Sequence, residues 1–409
     1  MQAVVRVLLG LLVAIGGLAN ISCTQVSSPT VSPHTQAVRR QWPVAPEMRG
    51  VWLATVSNLD WPSRPGLAVA VQQREFRDLL NQVQILHLNT VVVQVRPMGD
   101  AFYPSHDMPW SQYLMGQQGQ SPGYDPLAFM ITEAHQRGLS FHAWFNPYRV
   151  SQHGNIAALA ANNPARLHPD WIVHYGGALY YNPGIPEVRA AIINSIMEVV
   201  QHYAVDAVQF DDYFYPYPVA GLAFPDAATY RRYGAGHFAS LADWRRVNVN
   251  QLIHEVFLRI KQVRPGVQFG ISPFGVWRNQ STDATGSHTR AGVTDYDILY
   301  ADTRTWIRRH WIDYIVPQLY WHIGFAPADY QTLLAWWAHE VAGYHVRLYI
   351  GQAAYTFGRN SPTSSPPAEL LKQLALNRRY PQIQGSIFFR LKNLLRLAPE
   401  LKEQLAHYF

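Results

Sequence analysis

Short runs of β-branched and aromatic residues alternate with longer segments of helical periodicity from Met48 onward. Runs of this kind, four to eight residues long and bounded by turn residues, predict strands. Eight strands separated by helices predict an α/β chain folded as a single (β/α)8 TIM-type barrel, over residues 47–409. The candidate strands are Arg49–Ala54, Thr90–Arg96, Ser140–Asn146, Ala207–Asp211, Val267–Ser272, Tyr314–Tyr320, Arg347–Gln352 and Gly385–Arg390.

The segments between these strands carry apolar residues at three- and four-residue spacing, which is typical of helices that bury one face. Helices of this kind would cover the outside of the barrel. The predicted helices are Val71–Leu86, Pro126–Arg137, Pro186–Tyr203, Asp243–Val263, Asp302–His310 and Ala328–Val341.

Polar and apolar side chains alternate within five of the candidate strands, and in a barrel one parity faces the helices while the other faces the axis. Because buried polar groups are costly unless they are bonded or wetted, we expect the polar parity to form a site at the carboxyl ends of the strands. This parity contains Gln94, Arg96, His142, Trp144, Asn146, Gln209, Asp211, Gln318, Tyr320, Ser386 and Arg390.

The first 23 residues have the pattern of a bacterial signal peptide, with an apolar core, Val7–Ala19, behind Arg6. Cys23 follows in a segment that resembles a lipoprotein processing site, although Asn20 replaces the usual leucine. We expect export and lipidation at Cys23, with simple secretion or an uncleaved anchor as alternatives. Residues 24–46 are rich in Ser, Thr, Pro and Gln, which predicts a flexible linker between the membrane and the barrel.

Composition excludes several classes of protein. Hydrophobic residues make up 48% and charged residues 15%, which indicates a globular chain. The net charge of +6 comes from scattered Lys and Arg, so nucleic-acid binding is not expected. Cys23 is the one cysteine, which excludes a disulfide framework and a cysteine metal site. Aromatic residues reach 13%, and aromatic faces are suited to stacking on sugar rings.

Two consecutive acids, Asp211 and Asp212, end the fourth candidate strand. Glycoside hydrolysis needs one acid to protonate the leaving oxygen and one carboxylate to attack the sugar or activate water. Asp211 is the predicted nucleophile or charge-stabilising carboxylate, and Asp212 is the predicted proton donor, with a loop cap as its alternative role. Asp100 and Asp302 are alternative candidates for the second catalytic acid. Their structural alternatives are a turn former for Asp100 and a helix N-cap for Asp302. Asp60 is predicted to be a turn residue.

Several residues around the acids are candidates for substrate binding. Arg96 can hold a carboxylate or form a structural salt bridge, while Asn146, Gln209 and Gln318 can recognise hydroxyl and N-acetyl groups. The candidate stacking platforms are Trp52, Trp144, Tyr320 and Trp321, and Arg390 is the last inward-facing cation. Tyr213, Tyr215 and Tyr217 follow the fourth strand and are expected to form a groove wall. Trp321 has the outward parity, so packing is its alternative role. No cofactor or metal is expected.

Five segments resemble, in order, the signature blocks of the glycosyl-hydrolase-like family ten, a set of bacterial barrels. They are MRGVWLA at Met48–Ala54, VVQVRPMGDA at Val92–Ala101, FDDYFYP at Phe210–Pro216, ISPFGVW at Ile271–Trp277 and PQLYW at Pro317–Trp321. The resemblance implies an exported, often lipid-anchored hydrolase of cell-wall (peptidoglycan) glycan strands, with catalytic acids after the fourth strand. The sequence departs from the family's pattern at Arg390, where a smaller polar residue is expected, and in having no β-sandwich module after the barrel.

Two other functions remain open from the sequence. A metal-dependent polysaccharide deacetylase can also contain Phe-Asp-Asp, but its paired histidines at helical spacing are missing from the scattered His residues. A non-catalytic glycan-binding barrel would use the same aromatics and acids. The expected partners are a polysaccharide substrate and, through Cys23, a membrane facing the cell wall.

Overall fold

The computed structural model describes residues 47–357 and 365–409. Eight parallel strands close into a barrel in the order β1-β11-β10-β9-β8-β7-β3-β2, which confirms the predicted (β/α)8 fold. The barrel strands are β1 (Met48–Leu53), β2 (Thr90–Arg96), β3 (Ser140–Phe145), β7 (Ala207–Phe210), β8 (Gln268–Ile271), β9 (Tyr314–Ile315), β10 (Arg347–Gln352) and β11 (Ile383–Phe388). A separate three-stranded sheet contains β4 (Arg149–Ser151), β5 (Ile172–Tyr175) and β6 (Ala178–Tyr181).

The helices bury apolar faces, as the periodicity predicts. In α5, for example, Val188, Ile192 and Ile196 are at most 2% exposed and lie on one face. The helices are α1 (Val69–Ile85), α2 (Gln112–Met115), α3 (Pro126–Gln136), α4 (Pro164–Leu167), α5 (Pro186–His202), α6 (Ala227–Tyr233), α7 (Leu241–Val263), α8 (Thr303–Arg308), α9 (Tyr330–Val341), α10 (Pro367–Asn377), α11 (Leu391–Leu395) and α12 (Pro399–Tyr408).

The sixth barrel strand is shorter than predicted. Its regular part is β9 alone, and Gln318 then forms isolated bridges to Phe274 and Gly351. Pro317 explains the interruption, because proline has no N–H for the strand ladder. The strand ends near the site, so Gln318 belongs to the rim of the barrel.

The sheet of β4, β5 and β6 lies in the long connection between β3 and α5 and was not predicted. Strands β5 and β6 form an antiparallel hairpin joined by Gly176 and Gly177. Both glycines have positive φ, 57° and 81°, which suits a tight hairpin turn. Strand β4 pairs with β6, which brings Arg149 opposite Tyr180.

Side chains that meet across the barrel confirm that the polar parity faces the axis. His142 on β3 and Tyr314 on β9 are on strands that are not neighbours, yet Nδ1 of His142 lies 3.0 Å from the Tyr314 hydroxyl. The same hydroxyl donates to Oε1 of Gln209 at 3.2 Å. Gly270 makes room for this crossing, since a Cβ there would lie 2.0 Å from the Tyr314 ring.

Residues 1–46 lie outside the described residues, so the predicted leader, the linker and the lipidation at Cys23 stay predictions. Within residues 47–357 and 365–409, no helix has the length and hydropathy needed to cross a membrane.

Candidate active site

Asp211 directly follows β7, at the carboxyl end of the barrel, and only 6% of it is exposed. Three N–H groups donate to its carboxylate. Trp144 Nε1 donates to Oδ2 at 3.2 Å, Asn146 Nδ2 donates to the same oxygen, and the backbone N–H of Tyr213 donates to Oδ1 at 3.2 Å. Trp144 therefore contributes a hydrogen bond to the acid, a role different from the predicted stacking platform.

Asn146 is itself held by a residue of the inward parity. Gln94 Nε2 donates to Asn146 Oδ1 at 2.5 Å, and Gln94 Oε1 accepts from the backbone N–H groups of Thr55 and Val56 at 3.0 and 2.9 Å. Since Gln94 and Asn146 are 1% and 0% exposed, both amides are fixed by buried partners. The end of β1 is thus connected to Asp211 through two side chains.

Asp212 has a different set of partners. The Tyr217 hydroxyl donates to Oδ2, and Gln318 Nε2 donates to Oδ1 at 3.1 Å. Gln318 is oriented from behind by the carbonyl oxygen of Ser272, to which the same Nε2 donates at 3.0 Å. The rims of β7, β8 and β9 therefore converge on Asp212.

Burial raises the pKa of both acids above the ordinary range of an aspartate. For Asp211 the negative charge of Asp212 adds to the effect of burial, while Arg149 and the hydrogen bonds from Tyr213 and Asn146 oppose it. For Asp212 the hydrogen bonds from Tyr217 and Gln318 oppose burial. Perturbed, neighbouring acids at the rim of a barrel are the arrangement expected of acid–base chemistry near neutral pH.

The rival partner acids make their contacts elsewhere. Asp302 caps α8 by accepting from the N–H of Thr305 at 3.3 Å. This is the structural role that the sequence predicted as an alternative to catalysis. Asp100 is 1% exposed, and burial raises its pKa to about 6. It accepts from Gln118 Nε2 at 3.4 Å, and the charge of Arg96 lowers its pKa in part. None of these contacts joins either acid to Asp211, whereas Asp212 is adjacent to Asp211 in the chain.

The remaining polar candidates divide between rim and interior. Arg96 is fully buried and donates to the carbonyl oxygens of Asn146 and Pro147 at 2.7 and 3.1 Å. Gln209 lies deeper, in the cluster with Tyr314. Arg390 pairs with Asp60 at 2.8 Å, and that carboxylate also accepts from the N–H of Ala54. These contacts give Arg390 and Asp60 a structural role that links the ends of the first and last strands.

The aromatic candidates are half-buried or buried around the rim. Trp52 is 2% exposed and packs edge-on against Phe389, with ring centroids 6.0 Å apart. Tyr320 is half-buried, and burial raises the pKa of its hydroxyl, with smaller contributions from the charges of Asp212 and Asp211. Trp321 packs edge-on against Phe274 at 5.4 Å, in keeping with its outward parity.

The three tyrosines of the loop after β7 differ in their exposure to solvent. Tyr213 and Tyr217 lie beside the acids, with ring centroids 5.6 Å apart. Tyr215 is 1% exposed and packs against Phe224 and Tyr300. The predicted groove wall is therefore limited to the first and third tyrosines.

Three residues near the acids were not assigned this role from the sequence. Tyr217 was expected only as part of a groove wall, but it binds Asp212 directly. Arg149 lies on the unpredicted strand β4, with its guanidinium 3.5 Å from the centre of the Tyr213 ring. Asp295 is fully buried, and no side chain in the described part of the chain bonds to its carboxyl oxygens. Burial and the charge of Asp212 raise its pKa well above the usual value. The alternation of polar and apolar residues predicts only which side chains of the barrel strands face the axis. It makes no prediction for Tyr217, Arg149 and Asp295, which lie outside the barrel strands.

In the described ranges 47–357 and 365–409, no cluster of three or more His, Cys, Asp or Glu side chains has the geometry to hold a metal ion.

Two of the relatives that comparison with known proteins identifies are both named glycosyl hydrolases. The chain is 54% identical over 362 residues to the glycosyl hydrolase YngK of Bacillus subtilis strain 168, covering 88% of this chain and 71% of that protein. It is 46% identical over 402 residues to the glycosyl hydrolase DigH of Escherichia coli K12, covering 91% of this chain and 90% of that protein.

Solved structures support the fold. The PgaB (BpsB) glycoside hydrolase domain of Bordetella bronchiseptica superposes with a TM-score of 0.56 at 15% identity, covering 88% of this chain and 98% of the domain. The alpha-L-fucosidase isoenzyme 2 of Paenibacillus thiaminolyticus gives 0.55 at 13% identity, with the same coverage of this chain. The chain spans about half the length of that fucosidase, 48%.

The family profile described as glycosyl hydrolase-like 10 matches residues 47–366, which include the barrel from β1 to β10. This match contains Asp211, Asp212 and the residues that bind them, and it confirms the resemblance found in the signature blocks. The chain therefore belongs to the glycosyl hydrolase-like 10 family, and it is an enzyme of the glycoside hydrolase type.

Proposed function

We propose that this protein is an exported enzyme that cleaves the glycosidic bonds of cell-wall (peptidoglycan) glycan strands with Asp211 and Asp212 as its paired acids. One observation carries the proposal: two consecutive buried acids at the carboxyl rim of the barrel have hydrogen-bond partners of different chemistry. Barrel enzymes place their catalytic groups at this rim, and glycosidases use two carboxyl groups.

The partners of Asp211 favour its ionised form. All three of its hydrogen-bond partners are N–H donors, from Trp144, Asn146 and Tyr213. A protonated carboxyl group needs an acceptor for its own O–H, and none of these N–H groups is an acceptor. Asp211 therefore acts as the carboxylate that attacks the sugar, activates water or stabilises the positive charge that develops on the sugar ring.

The partners of Asp212 permit the proton that catalysis needs. The hydroxyl of Tyr217 can donate to an ionised carboxylate, but it can also accept from a protonated one. Two neighbouring buried acids do not ionise together easily, because the charge of each raises the pKa of the other. Since Asp211 has only N–H donors around it, we assign the charge to Asp211 and the proton to Asp212. Asp212 therefore acts as the general acid that protonates the leaving oxygen, and Gln318 orients it.

The proposed substrate and location are supported by the sequence. The signature blocks imply a glycan-strand hydrolase of the cell wall, and aromatic side chains, among them Tyr213 and Tyr320, line the rim near the acids. The leader pattern and Cys23 imply export and a lipid anchor at a membrane that faces the wall.

The test is cleavage of purified, peptide-free glycan strands, followed by chromatography of the products. The wild-type protein should shorten the strands, and Asp211→Asn and Asp212→Asn should each lower kcat/KM by about 100-fold or more, the usual contribution of such groups. Asp302→Asn is the matched control, because asparagine caps a helix as well as aspartate does. Asp100→Asn tests the other rival acid.

Three results would contradict the proposal. Full activity of Asp211→Asn would show that Asp211 is not a catalytic acid. If Asp302→Asn or Asp100→Asn lost activity and Asp212→Asn did not, the second catalytic acid would be Asp302 or Asp100. Binding of strands without any shortening by the wild-type protein would favour the non-catalytic glycan-binding barrel.

A further inference from the structure

We propose that Arg149 forms a subsite for a carboxylate carried by the substrate beside the cleaved bond, and that the enzyme thereby prefers the lactyl carboxylates of N-acetylmuramic acid over neutral sugars. The proposal rests on the proposed function, since it takes the acids at Asp211 and Asp212 as the point of cleavage. Three observations on Arg149 support it. They are its place on β4 near the acids, the stacking of its guanidinium on Tyr213, and the absence of an ion pair to it among the described residues.

The position of Arg149 is fixed by two connections. It follows Asn146, which donates to Asp211, by only three residues. It also belongs to β4, where it is the register partner of Tyr180 on β6. The inserted three-stranded sheet therefore brings a cation to the rim of the barrel, close enough to the acids for its charge to lower the pKa of Asp211 and Asp212.

The guanidinium of Arg149 is supported on one face. Its central carbon lies 3.5 Å from the centre of the Tyr213 ring, and the backbone N–H of Tyr213 donates to Asp211. Stacking on an aromatic ring leaves the edge of a guanidinium free, and that edge is the part that binds a carboxylate through two parallel hydrogen bonds. The stack thus prepares Arg149 for a planar anion at a fixed place relative to Asp211.

Arg149 forms no ion pair within residues 47–357 and 365–409, although its charge acts on the two acids from a greater distance. Among the described residues, no Asp or Glu lies within ion-pair distance of it, whereas Arg246 and Arg278, which also lie against tyrosine rings, each have an acidic partner. Arg149 is also partly exposed, so a ligand can reach it. A cation that is held rigidly, reachable and unpaired is suited to an anionic group of the substrate.

The acids make such a cation necessary for a charged substrate. A carboxylate that approached the negative charge on Asp211, which is only 6% exposed, would be repelled by it. Arg149 offsets this repulsion at the place where the sugar must bind. A neutral sugar has no corresponding need, so the arginine distinguishes between the two kinds of glycan.

The experiment compares two substrates that differ only in this charge: peptide-free glycan strands, and the same strands after chemical reduction of their carboxyl groups to alcohols. For the wild-type protein we expect kcat/KM to fall by about 10- to 100-fold on reduction, the effect of losing a charge-assisted hydrogen-bond pair. For Arg149→Gln we expect a similar loss on native strands and little further loss on reduced strands. Arg149→Lys, which keeps the charge without the planar fork, should fall between the two.

The control and the readout separate this role from a general effect on the acids. Arg246→Gln is the matched control, because Arg246 is also stacked on a tyrosine, 4.1 Å from the Tyr296 ring, but is paired with Asp243. It should keep the wild-type preference for native strands. If Arg149 only lowered the pKa of the acids, Arg149→Gln would lose activity by the same factor on both substrates, which would overturn the proposal.

Binding to the inactive Asp211→Asn protein distinguishes failure of this inference from failure of the proposed function. If the wild-type protein cleaves neither substrate, but Asp211→Asn binds native strands more tightly than reduced strands and loses that preference on Arg149→Gln, the hydrolase proposal fails and the subsite stands. Equal binding of both strands, or no binding of either, overturns the subsite.

Discussion

The hydrogen bond from Asn146 to Asp211 gives a way to measure the charge that the mechanism assigns to Asp211. In Asn146→Leu the side chain keeps a similar size but can no longer donate. Asp211 then keeps the donors Trp144 Nε1 and the N–H of Tyr213, at 3.2 Å each, and loses the third. Because a hydrogen bond to the ionised form lowers the pKa of an acid, its removal raises the pKa of Asp211 further.

The size of the effect follows from the kind of bond that is lost. A hydrogen bond to a charged group contributes about 1.5 to 3 kcal/mol, and one pKa unit corresponds to about 1.36 kcal/mol. The pKa of Asp211 should therefore rise by about one to two units. If the ionised carboxylate is the reactive form, the acid limb of the kcat/KM profile moves to higher pH by the same amount, and activity on its slope falls about 10- to 100-fold.

The assay is the pH dependence of kcat/KM on peptide-free glycan strands, with thermal unfolding measured at each pH to exclude loss of the fold. Asn377→Leu is the control, because Asn377 is also a buried asparagine with two side-chain partners, Tyr330 and Ser386. It should lower stability and leave the acid limb in place. An unmoved acid limb in Asn146→Leu, or a move to lower pH, would refute the assignment of the charge to Asp211.

Three further predictions concern the scaffold and the location. Gly270→Ala should lower the thermal unfolding midpoint, because its Cβ would lie 2.0 Å from the buried Tyr314 ring and overpacking costs about 1 to 3 kcal/mol; an unchanged midpoint would contradict this. Asp60→Asn should lower the free energy of unfolding, measured in urea, by about 3 kcal/mol through loss of its pair with Arg390, and equal stability would show that the pair contributes nothing. Cys23→Ser should abolish incorporation of labelled fatty acid and release the protein from the membrane fraction, whereas persistent labelling would exclude Cys23 as the lipid site.

The barrel could be predicted because its strands and helices differ in the period of their apolar residues. All eight candidate strands correspond to barrel strands, with ends that differ by up to two residues except at β9. A strand ends where its hydrogen-bonded ladder ends, which depends on its neighbours as well as on its own sequence. Pro317 contained the one local signal that the predicted strand Tyr314–Tyr320 would be interrupted.

The part of the candidate site that lies on strands could also be predicted. Asn146, Asp211 and Gln318 come from three different strands, and the parity rule brings them together at one rim. The parity rule gives the direction of a side chain but not its partner. It therefore did not predict that Trp144 donates to Asp211 or that Arg96 donates to backbone carbonyls.

The loop residues of the site could not be predicted in the same way. Arg149 reaches the acids because β4 pairs with a hairpin about thirty residues further along the chain. Asp295 is buried in the long segment between β8 and α8, where its N–H donates to the carbonyl of Val276 at 2.9 Å. Such paths are set by tertiary contacts and not by local periodicity.

The paired roles of Asp211 and Asp212 are tested most directly by changing how much the leaving group needs a proton. Each variant, Asp211→Asn and Asp212→Asn, is assayed on natural glycan strands and on an oligosaccharide of the same sugars that ends in an activated aryl leaving group. A good leaving group departs without protonation. Asp212→Asn should therefore keep most of its activity on the aryl substrate while losing it on glycan strands, and Asp211→Asn should lose activity on both. Equal losses of Asp212→Asn on the two substrates, or retained activity of Asp211→Asn, would contradict the account.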